Sequence, residues 1–274
     1  MVLEDTMIDP KAEWRTFAQD GGVPDRSRVG APVSNLLHDK GLTTDIDWQN
    51  KDFSGSAISH KYRSQMHRMR KWQKRARTKG SKERNLSEAL TRIQYVCSKM
   101  NLPKSIAERS ADIYRKALAE DLIRGRSIEV TAGASVFIAN QQMLTARTVE
   151  DVAAVLKINP KEIGRTYRFL KRRLMIRTPP PSPMTYVSRF CSELDLNSDT
   201  ENKVREIIKL AEEKELTYGK SPTGITAAAL YIAGYQMNQI RTQREISDVT
   251  NVTEVTIRNR YKGLLSSLDF ELEI

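Results

Sequence analysis

Hydrophobic residues recur at helical spacing through most of this 274-residue chain. From position 85 onward, apolar side chains return every three or four residues, as an amphipathic helix requires. The first such stripe comprises Leu86, Leu90, Ile93, Val96, Cys97 and Met100. Two later segments, 131–139 and 225–233, are apolar on nearly every side and rich in small residues. Helices of that kind belong at the centre of a bundle, so the pattern predicts an all-α fold.

The helical pattern occurs twice along the chain. Cys97 and Cys191 are 94 residues apart, and this offset aligns the two halves without a gap. Identical pairs at this offset include Leu102 with Leu196, Ile113 with Ile207, Gly125 with Gly219, Tyr167 with Tyr261, and Leu170 with Leu264. The period is far longer than the roughly 20–50 residues of solenoid repeats, so two tandem copies of one helical domain are expected. The equivalent apolar position of both cysteines indicates core residues rather than a redox or ligand role.

Shifts in composition divide the chain into four segments. Residues 1–58 contain scattered glycines, show no sustained period and are predicted to be extended and weakly structured. A basic linker follows at 59–79, the first repeat occupies 80–177 and the second 178–274. The boundary between the repeats falls at a proline-rich stretch, where the rings remove backbone donors and favour an extended path.

Positive charge is concentrated in the middle of the chain. The formal net charge is +11, which makes an acidic polymer or surface the expected partner. Residues 59–79 contain nine basic residues and no acidic one. One interpretation is a solvated linker; the other is a segment that orders on nucleic acid or in an acidic cleft. The helical spacing of Tyr62, Met66, Met69 and Trp72 favours the second.

No motif of a catalytic site is found in the sequence. It lacks a phosphate-binding glycine loop, G-x-S-x-G, H-E-x-x-H and C-x-x-C, and its three histidines all precede the repeats. Two cysteines are too few for a four-cysteine zinc site or a disulfide framework. No apolar run approaches the ~18 residues of a membrane span, and residues 1–10 do not form a secretory signal. A cytoplasmic protein that is not an enzyme is therefore expected.

The end of the second repeat predicts a helix-turn-helix. Residues 242–250 have the pattern of a capped short helix, 251–253 that of a tight turn, and 254–262 that of a second helix. The residues predicted to face outward near the start of the second helix are Thr253, Val255, Thr256, Arg258 and Asn259. A recognition helix presents such residues to base edges, where arginine pairs with guanine and a valine methyl meets a thymine methyl. Helix-turn-helix pairs also occur as plain packing units, so both interpretations stay open.

The corresponding helix of the first repeat is strongly basic. Residues 161–177 contain seven cations and one acidic residue, Glu162. Arg165, Arg168 and Arg172 lie within this run. The pattern predicts a helix that faces phosphate groups or an acidic surface.

Several motifs resemble the archaeal transcription factor B family, the counterpart of the eukaryotic general transcription factor IIB. The motifs are WRTF at 14–17, SRVGAP at 27–32, RKWQKR at 70–75, KEIGRTYRFL at 161–170 and TEVTIRNRYK at 253–262. Together they cover essentially the whole chain, in the order of the family. The resemblance implies a monomeric, nucleoid-associated initiation factor with two cyclin-like five-helix repeats. Its implied partners are promoter double-stranded DNA, TATA-binding protein and RNA polymerase, with no membrane contact.

The resemblance also implies roles for individual residues on DNA. Val255 and Arg258 would read the purine-rich element upstream of the TATA box through the major groove. Gly125 and Arg126, in the loop before the first repeat's central helix, would contact DNA downstream of the TATA box. From the residues alone, Gly125 is also compatible with a helix C-cap.

Further roles concern the protein partners. Residues 1–58 resemble the family's reader, which enters the polymerase cleft and influences start-site choice, and 59–79 resemble its linker helix, which assists DNA opening. The implied polymerase-binding residues are Glu13, Trp14, Arg15 and Arg28 in the reader, and Arg68, Arg70, Lys71 and Arg75 in the linker. Arg165, Arg168 and Arg172 would face TATA-binding protein or phosphate groups.

The chain departs from the family at its start. The family has an N-terminal zinc ribbon, whereas residues 1–10 resemble the residues just after that ribbon and no ribbon cysteines are present. Either the ribbon belongs to a longer protein from which this chain derives, or this is a natural member without one. No cofactor, zinc included, is expected for this chain.

Two other classes of function stand as alternatives. A cyclin-like module that regulates an enzyme through its helical grooves, without touching DNA, is the alternative interpretation. A nucleic-acid-processing enzyme is a third, which the absence of a metal or nucleophile motif disfavours.

Overall fold

The computed structural model describes residues 33–44, 46–51, 56–76 and 80–268. Over these ranges the chain forms eleven α-helices and no strand, apart from an isolated bridge between Lys51 and Ala57. The helices are α1 (His60–Ala76), α2 (Ser81–Lys99), α3 (Lys104–Ala119), α4 (Ile128–Gln142), α5 (Val149–Leu156), α6 (Pro160–Arg173), α7 (Met184–Glu193), α8 (Ser198–Glu213), α9 (Pro222–Gln236), α10 (Gln243–Thr250) and α11 (Glu254–Leu268). The predicted all-α fold is confirmed. None of these helices is both long and apolar enough to cross a membrane.

The chain divides into two compact units, Met1–Gly80 and Ser81–Ile274. The larger unit holds two five-helix repeats, α2–α6 and α7–α11. The 94-residue offset is visible in the helix boundaries, because α3, α4 and α5 begin and end 94 residues before α8, α9 and α10. The last helix, α11, ends one residue later than the offset from α6 predicts, and the first helix of the second repeat differs more. α7 begins nine residues later than the offset predicts, since the prolines before it supply no N–H for a helix.

The central helix of each repeat is buried almost all round. In α4 every residue from 130 to 140 is buried, and in α9 all residues from 224 to 234 except Tyr231 are buried. At Gly133 a Cβ would lie 2.7 Å from Leu156 Cδ1 and 3.4 Å from Val152 Cγ1, so α4 and α5 pack closely here and a larger residue would require the Leu156 side chain to move. The small residues that the sequence pattern singled out therefore serve close helix packing, as predicted.

The first amphipathic stripe and both cysteines lie in the core, as predicted. All six residues of the stripe are buried, five of them on α2 and Met100 directly after its end. Cys97 and Cys191 are free thiols, and burial raises the pKa of each to about 11. Thiols that stay protonated and inaccessible pack as small apolar side chains.

In the smaller unit, α1 holds the segment that precedes it. The Arg70 guanidinium donates to the backbone oxygens of Asp47 and Gln49, at 2.7 and 3.1 Å, and to Asn50 Oδ1 at 3.0 Å. Gln73 accepts from the Ile46 N–H at 3.0 Å and donates to the Thr44 oxygen at 2.7 Å. No residue of α1 is itself buried.

Candidate nucleic-acid interface

The second repeat ends in a helix-turn-helix built from α10, a turn and α11. Thr242 and Glu245 form a capping box: the Thr242 N–H donates to Glu245 Oε2 at 2.8 Å, and the Glu245 N–H donates to Thr242 Oγ1 at 3.2 Å. These bonds hold the pKa of Glu245 below its usual range. Asn251 ends α10 in the left-handed conformation, with φ of 54°, which turns the chain into α11.

The inner face of this pair is anchored in the core of the second repeat. Ile246, Ile257, Tyr261 and Leu264 are buried, and Val249 and Val252 are half-buried against them. The rings of Tyr231 and Tyr261 lie 4.8 Å apart, which joins α9 to α11. The position of α11 is therefore fixed by packing.

Four of the five residues predicted to face outward are exposed: Thr253, Val255, Arg258 and Asn259. The side chain of Val255 is 66% exposed. The prediction for Thr256 is wrong in part, because this residue is half-buried and its Oγ1 lies 2.8 Å from Thr253 Oγ1. The reason is that Thr256 lies on the flank of α11 that faces α9, near Gly224, one turn before the half-buried Arg260.

Arg258 extends over the beginning of α10. Its Nη2 atom lies 3.5 Å from Gln243 Oε1, at the long end of hydrogen-bond distances. Such a contact orients the guanidinium weakly. Arg258 can therefore exchange this contact for shorter, bidentate bonds to another acceptor.

The basic helix of the first repeat is α6. Asn159 caps its start by accepting from the Lys161 N–H at 3.0 Å, and Pro160 occupies the first turn. Arg165, Arg168 and Arg172 are exposed, and none of the three forms an ion pair with another described residue. With Phe169, Arg173 and Met175 they line an open concavity of about 560 Å³.

The loop before α4 lies against this basic helix. The Arg126 guanidinium stacks over the Phe169 ring, 3.7 Å from its centroid, and donates to the Leu122 oxygen at 3.3 Å. The structure thus brings together two regions that the sequence placed separately, the Gly125–Arg126 loop and the α6 arginines. Phe169 was missed as a site residue, although it lies inside the motif at 161–170.

The alternative of Gly125 as a helix C-cap is wrong. α3 ends at Ala119 with Glu120 as its C-cap, five residues earlier. Gly125 instead lies in a turn closed by the bond from the Arg126 N–H to the Ile123 oxygen, at 3.0 Å. Its φ of +77° favours glycine, and the space beside it is open.

The linker residues differ in their surroundings. Arg68, Lys71 and Arg75 are exposed, and Arg75 lies 5.4 Å from the centroid of the Trp72 ring. Arg70 is instead half-buried on the preceding segment through its three hydrogen bonds. The sequence did not indicate this contact, because its acceptors are mostly backbone oxygens.

The reader residues Glu13, Trp14, Arg15 and Arg28 lie outside the described residues. Where side chains are described, no three His, Cys, Asp or Glu residues lie close enough together to hold a metal ion.

Loss of the Thr242 cap should destabilise the helix-turn-helix. In Thr242→Ala, the Glu245 N–H loses its acceptor, and we expect a decrease of about 1 kcal/mol in the free energy of unfolding. Urea unfolding followed by circular dichroism measures this change. An unchanged transition midpoint would contradict the contribution of the capping box.

Comparisons with known proteins agree with the duplicated architecture. The family described as "Transcription factor TFIIB repeat" matches twice, at residues 82–173 and 176–267. Transcription initiation factor IIB of Archaeoglobus fulgidus is 50% identical over 272 residues, covering 99% of this chain and 83% of the relative. The factor of the same name from Methanosarcina mazei is 48% identical over 272 residues, with coverages of 99% and 80%.

A third archaeal relative and one solved structure also match this chain. Transcription initiation factor IIB 7 of Halobacterium salinarum is 48% identical over 268 residues, covering 98% of this chain and 83% of the relative. Among solved structures, a viral cyclin from herpesvirus saimiri matches 68% of this chain and 87% of its own, at 18% identity and a TM-score of 0.31. The two repeat matches and the nearly full-length identity to the archaeal factors confirm the resemblance that the motifs indicated. This chain belongs to the transcription initiation factor IIB family.

Proposed function

We propose that this protein is a general transcription initiation factor that binds a complex of TATA-binding protein and promoter DNA and connects it to RNA polymerase. The observation that carries the proposal is the helix-turn-helix of the second repeat. Its inner face is fixed in the core, whereas Val255, Arg258 and Asn259 face solvent on α11. This is the arrangement by which a recognition helix enters the major groove.

Sequence reading is assigned to the start of α11. Arg258 contacts guanine O6 and N7 as a bidentate donor, and Val255 contacts a thymine methyl or excludes a polar edge. Thr253 and Asn259 supply shorter polar contacts beside them. The half-buried Thr256 orients Thr253 through the 2.8 Å contact between their hydroxyls. A guanine-pairing arginine agrees with a purine-rich element upstream of the TATA box.

The first repeat is assigned a positioning role. Gly125 and Arg126 contact DNA downstream of the TATA box, where an exposed glycine lets the backbone approach closely. Arg165, Arg168 and Arg172 face DNA phosphates or TATA-binding protein. Stacking of Arg126 on Phe169 supports one continuous cationic surface from the loop to α6.

Polymerase contact is assigned to the smaller unit. The reader residues Glu13, Trp14, Arg15 and Arg28 approach the polymerase active site, and Arg68, Arg70, Lys71 and Arg75 of the linker lie along its surface. The protein acts as a cytoplasmic, nucleoid-associated monomer, without catalysis and without a cofactor of its own.

A gel-shift titration on a TATA-containing promoter tests the proposal. The titration uses promoters with an intact or a scrambled upstream element, with and without TATA-binding protein, at several salt concentrations. We expect a supershift that requires TATA-binding protein and weakens when the element is scrambled. Absence of a supershift at low salt, with a folded protein, would favour a protein-interaction module that does not touch DNA.

Neutralising the exposed linker cations should separate promoter opening from assembly. In the triple variant Arg68→Ala, Lys71→Ala and Arg75→Ala, we expect less promoter opening, measured by permanganate reactivity, while the supershift is nearly unchanged. The reason is that these side chains are exposed on α1 and belong to the proposed polymerase contact. As a matched control, Lys99→Ala, Lys104→Ala and Lys209→Ala removes three exposed cations elsewhere. Equal losses of opening and assembly in the linker variant would contradict the assignment.

A further inference from the structure

A largely buried ion pair joins the two repeats. Arg189 on α7 of the second repeat donates from Nη1 to Asp151 Oδ2 at 2.5 Å and from Nη2 to Asp151 Oδ1 at 2.9 Å. Asp151 belongs to α5 of the first repeat. Each side chain is only 16% exposed. This is a bidentate pair, the geometry in which an arginine fixes the orientation of a carboxylate as well as its distance.

Both members of the pair are fully engaged by their surroundings. Arg189 Nη1 also donates to the Ala146 oxygen at 2.7 Å, and its Nε donates to Glu193 Oε1 at 2.7 Å. Asp151 Oδ2 accepts from the Thr148 N–H at 2.8 Å as part of the capping box of α5. Burial of the Asp151 carboxyl opposes its ionisation, but the bonds from Arg189 and Thr148 outweigh it, so its pKa lies below the usual range. The guanidinium is therefore held by two elements of the first repeat at once.

The duplication shows that this pair is an addition to the common packing of the repeats. At the 94-residue offset, Asp151 corresponds to Glu245, whose carboxylate closes the equivalent capping box but forms no ion pair among the described residues. Arg189 corresponds to Tyr95, which is 45% exposed. Packing within a repeat therefore does not need the pair, and its place at the junction indicates a role between the repeats.

We propose that Arg189 and Asp151 are positioning residues that fix the angle between the two repeats before DNA is bound. The pair thereby sets the separation between the Gly125–Arg126 loop and the Val255–Arg258 face of α11. The meaning of this separation for DNA binding rests on the proposed function, whereas the fixed angle between the repeats does not. Interfaces between domains of one chain permit relative motion by default, and a rigid junction lowers the cost of engaging both DNA surfaces together.

Replacing Arg189 leaves the largely buried Asp151 carboxylate uncompensated, and replacing Asp151 leaves Arg189 with Glu193 alone, a partner within its own repeat. Single substitutions at either residue should therefore have a clear effect on the junction. Asp151→Asn removes the charge but keeps an oxygen that can accept from Thr148. Glu245→Gln is the matched control, because it changes the equivalent capping carboxylate without touching the junction. Arg189→Lys keeps the charge but cannot form the two parallel bonds.

Distance measurements between spin labels test the junction without DNA. Labels are attached at Lys99→Cys and Lys209→Cys, two exposed positions in different repeats, while the native thiols at 4% and 1% exposure stay unlabelled. Double electron–electron resonance should give one narrow distance distribution for the parent and for Glu245→Gln. The distribution should broaden in Asp151→Asn and Arg189→Ala, and less in Arg189→Lys. Circular dichroism measures whether each variant keeps its helix content. If Asp151→Asn or Arg189→Ala does not fold, the distance distribution of Arg189→Lys is compared with that of the parent instead.

A second measurement tests the consequence for DNA. In the presence of TATA-binding protein, the affinity of Asp151→Asn for the intact promoter should fall by at least about fivefold, the lower end of coupling between linked sites. A distribution in Asp151→Asn as narrow as in the parent would overturn the proposed junction. Broadening without any loss of affinity would overturn its role in DNA binding. Failure of the parent itself to bind the promoter would overturn the proposed function, and the spin-label result would still decide the junction.

Discussion

Replacement of Arg258 with alanine should lower the preference for an intact upstream element over a scrambled one by about 1–3 kcal/mol, a loss of roughly 5- to 150-fold. The guanidinium lies exposed on the first turns of α11, and its intramolecular contact is the long one to Gln243. It therefore gives up little when it pairs with guanine. The alanine variant leaves the guanine edge without its two donors.

Gel-shift titrations with both promoters measure this preference as a ratio of affinities. Lys262→Ala is the matched control, because Lys262 is another exposed cation on α11, beyond the start of the helix. Its loss should weaken binding to both promoters alike, as expected of a phosphate contact. If Arg258→Ala kept the parental preference, the assignment of Arg258 to base reading would be wrong.

Comparison of α10 and α11 with their equivalents in the first repeat, α5 and α6, indicates that the two repeats have different roles on DNA. At the 94-residue offset, Gly164 of α6 corresponds to Arg258 of α11, so the first repeat has no side chain at the proposed base-reading position. The α6 helix carries Arg165, Arg168 and Arg172, whereas the equivalent part of α11 is much less basic. Phosphate contacts position a protein on DNA, whereas base contacts select the sequence. The first repeat is therefore suited to holding DNA and the second to reading it.

Features set by local chemistry could be predicted from the sequence. The inward stripe of α2, the central helices α4 and α9, and the helix-turn-helix all follow from periodicity and from capping residues such as Thr242. Because the 94-residue offset between the cysteines aligns the two repeats, a prediction made for one repeat also applied to the other. The residues exposed on α11 were predicted from the same periodicity. Thr256 is the exception, because contacts with neighbouring residues make it half-buried.

Contacts between distant segments could not be predicted. Arg126 and Phe169 are 43 residues apart, and their stacking depends on how α6 crosses the start of α4. Arg70 binds mainly backbone oxygens, which every residue carries and no sequence pattern marks. The pair between Arg189 and Asp151 depends on how the two repeats meet. Arginine is common to all three, because its long side chain carries a planar guanidinium that can stack on a ring as well as donate to oxygens in distant segments.

Removing the cations of α6 should weaken binding to promoter DNA without changing its sequence preference. In the triple variant Arg165→Ala, Arg168→Ala and Arg172→Ala, three potential phosphate contacts are lost from an exposed face that forms no ion pair with described residues. Each neutralised phosphate contributes about 0.9 to the slope of log affinity against log salt. The slope should therefore become shallower by roughly 2.7 on B-form DNA, equally for intact and scrambled elements.

The salt series also decides between the two partners assigned to this face. The triple variant of Lys99, Lys104 and Lys209 removes the same charge elsewhere and should leave the slope nearly unchanged. If the α6 variant also kept the parental slope but lost the supershift that requires TATA-binding protein, the phosphate contact would be wrong. The arginines would then bind an acidic surface of TATA-binding protein, since an interface between two proteins releases fewer counterions than a contact with DNA. A shallower slope would indicate that the three arginines bind the DNA backbone, next to Arg126, which stacks on Phe169 of the same helix.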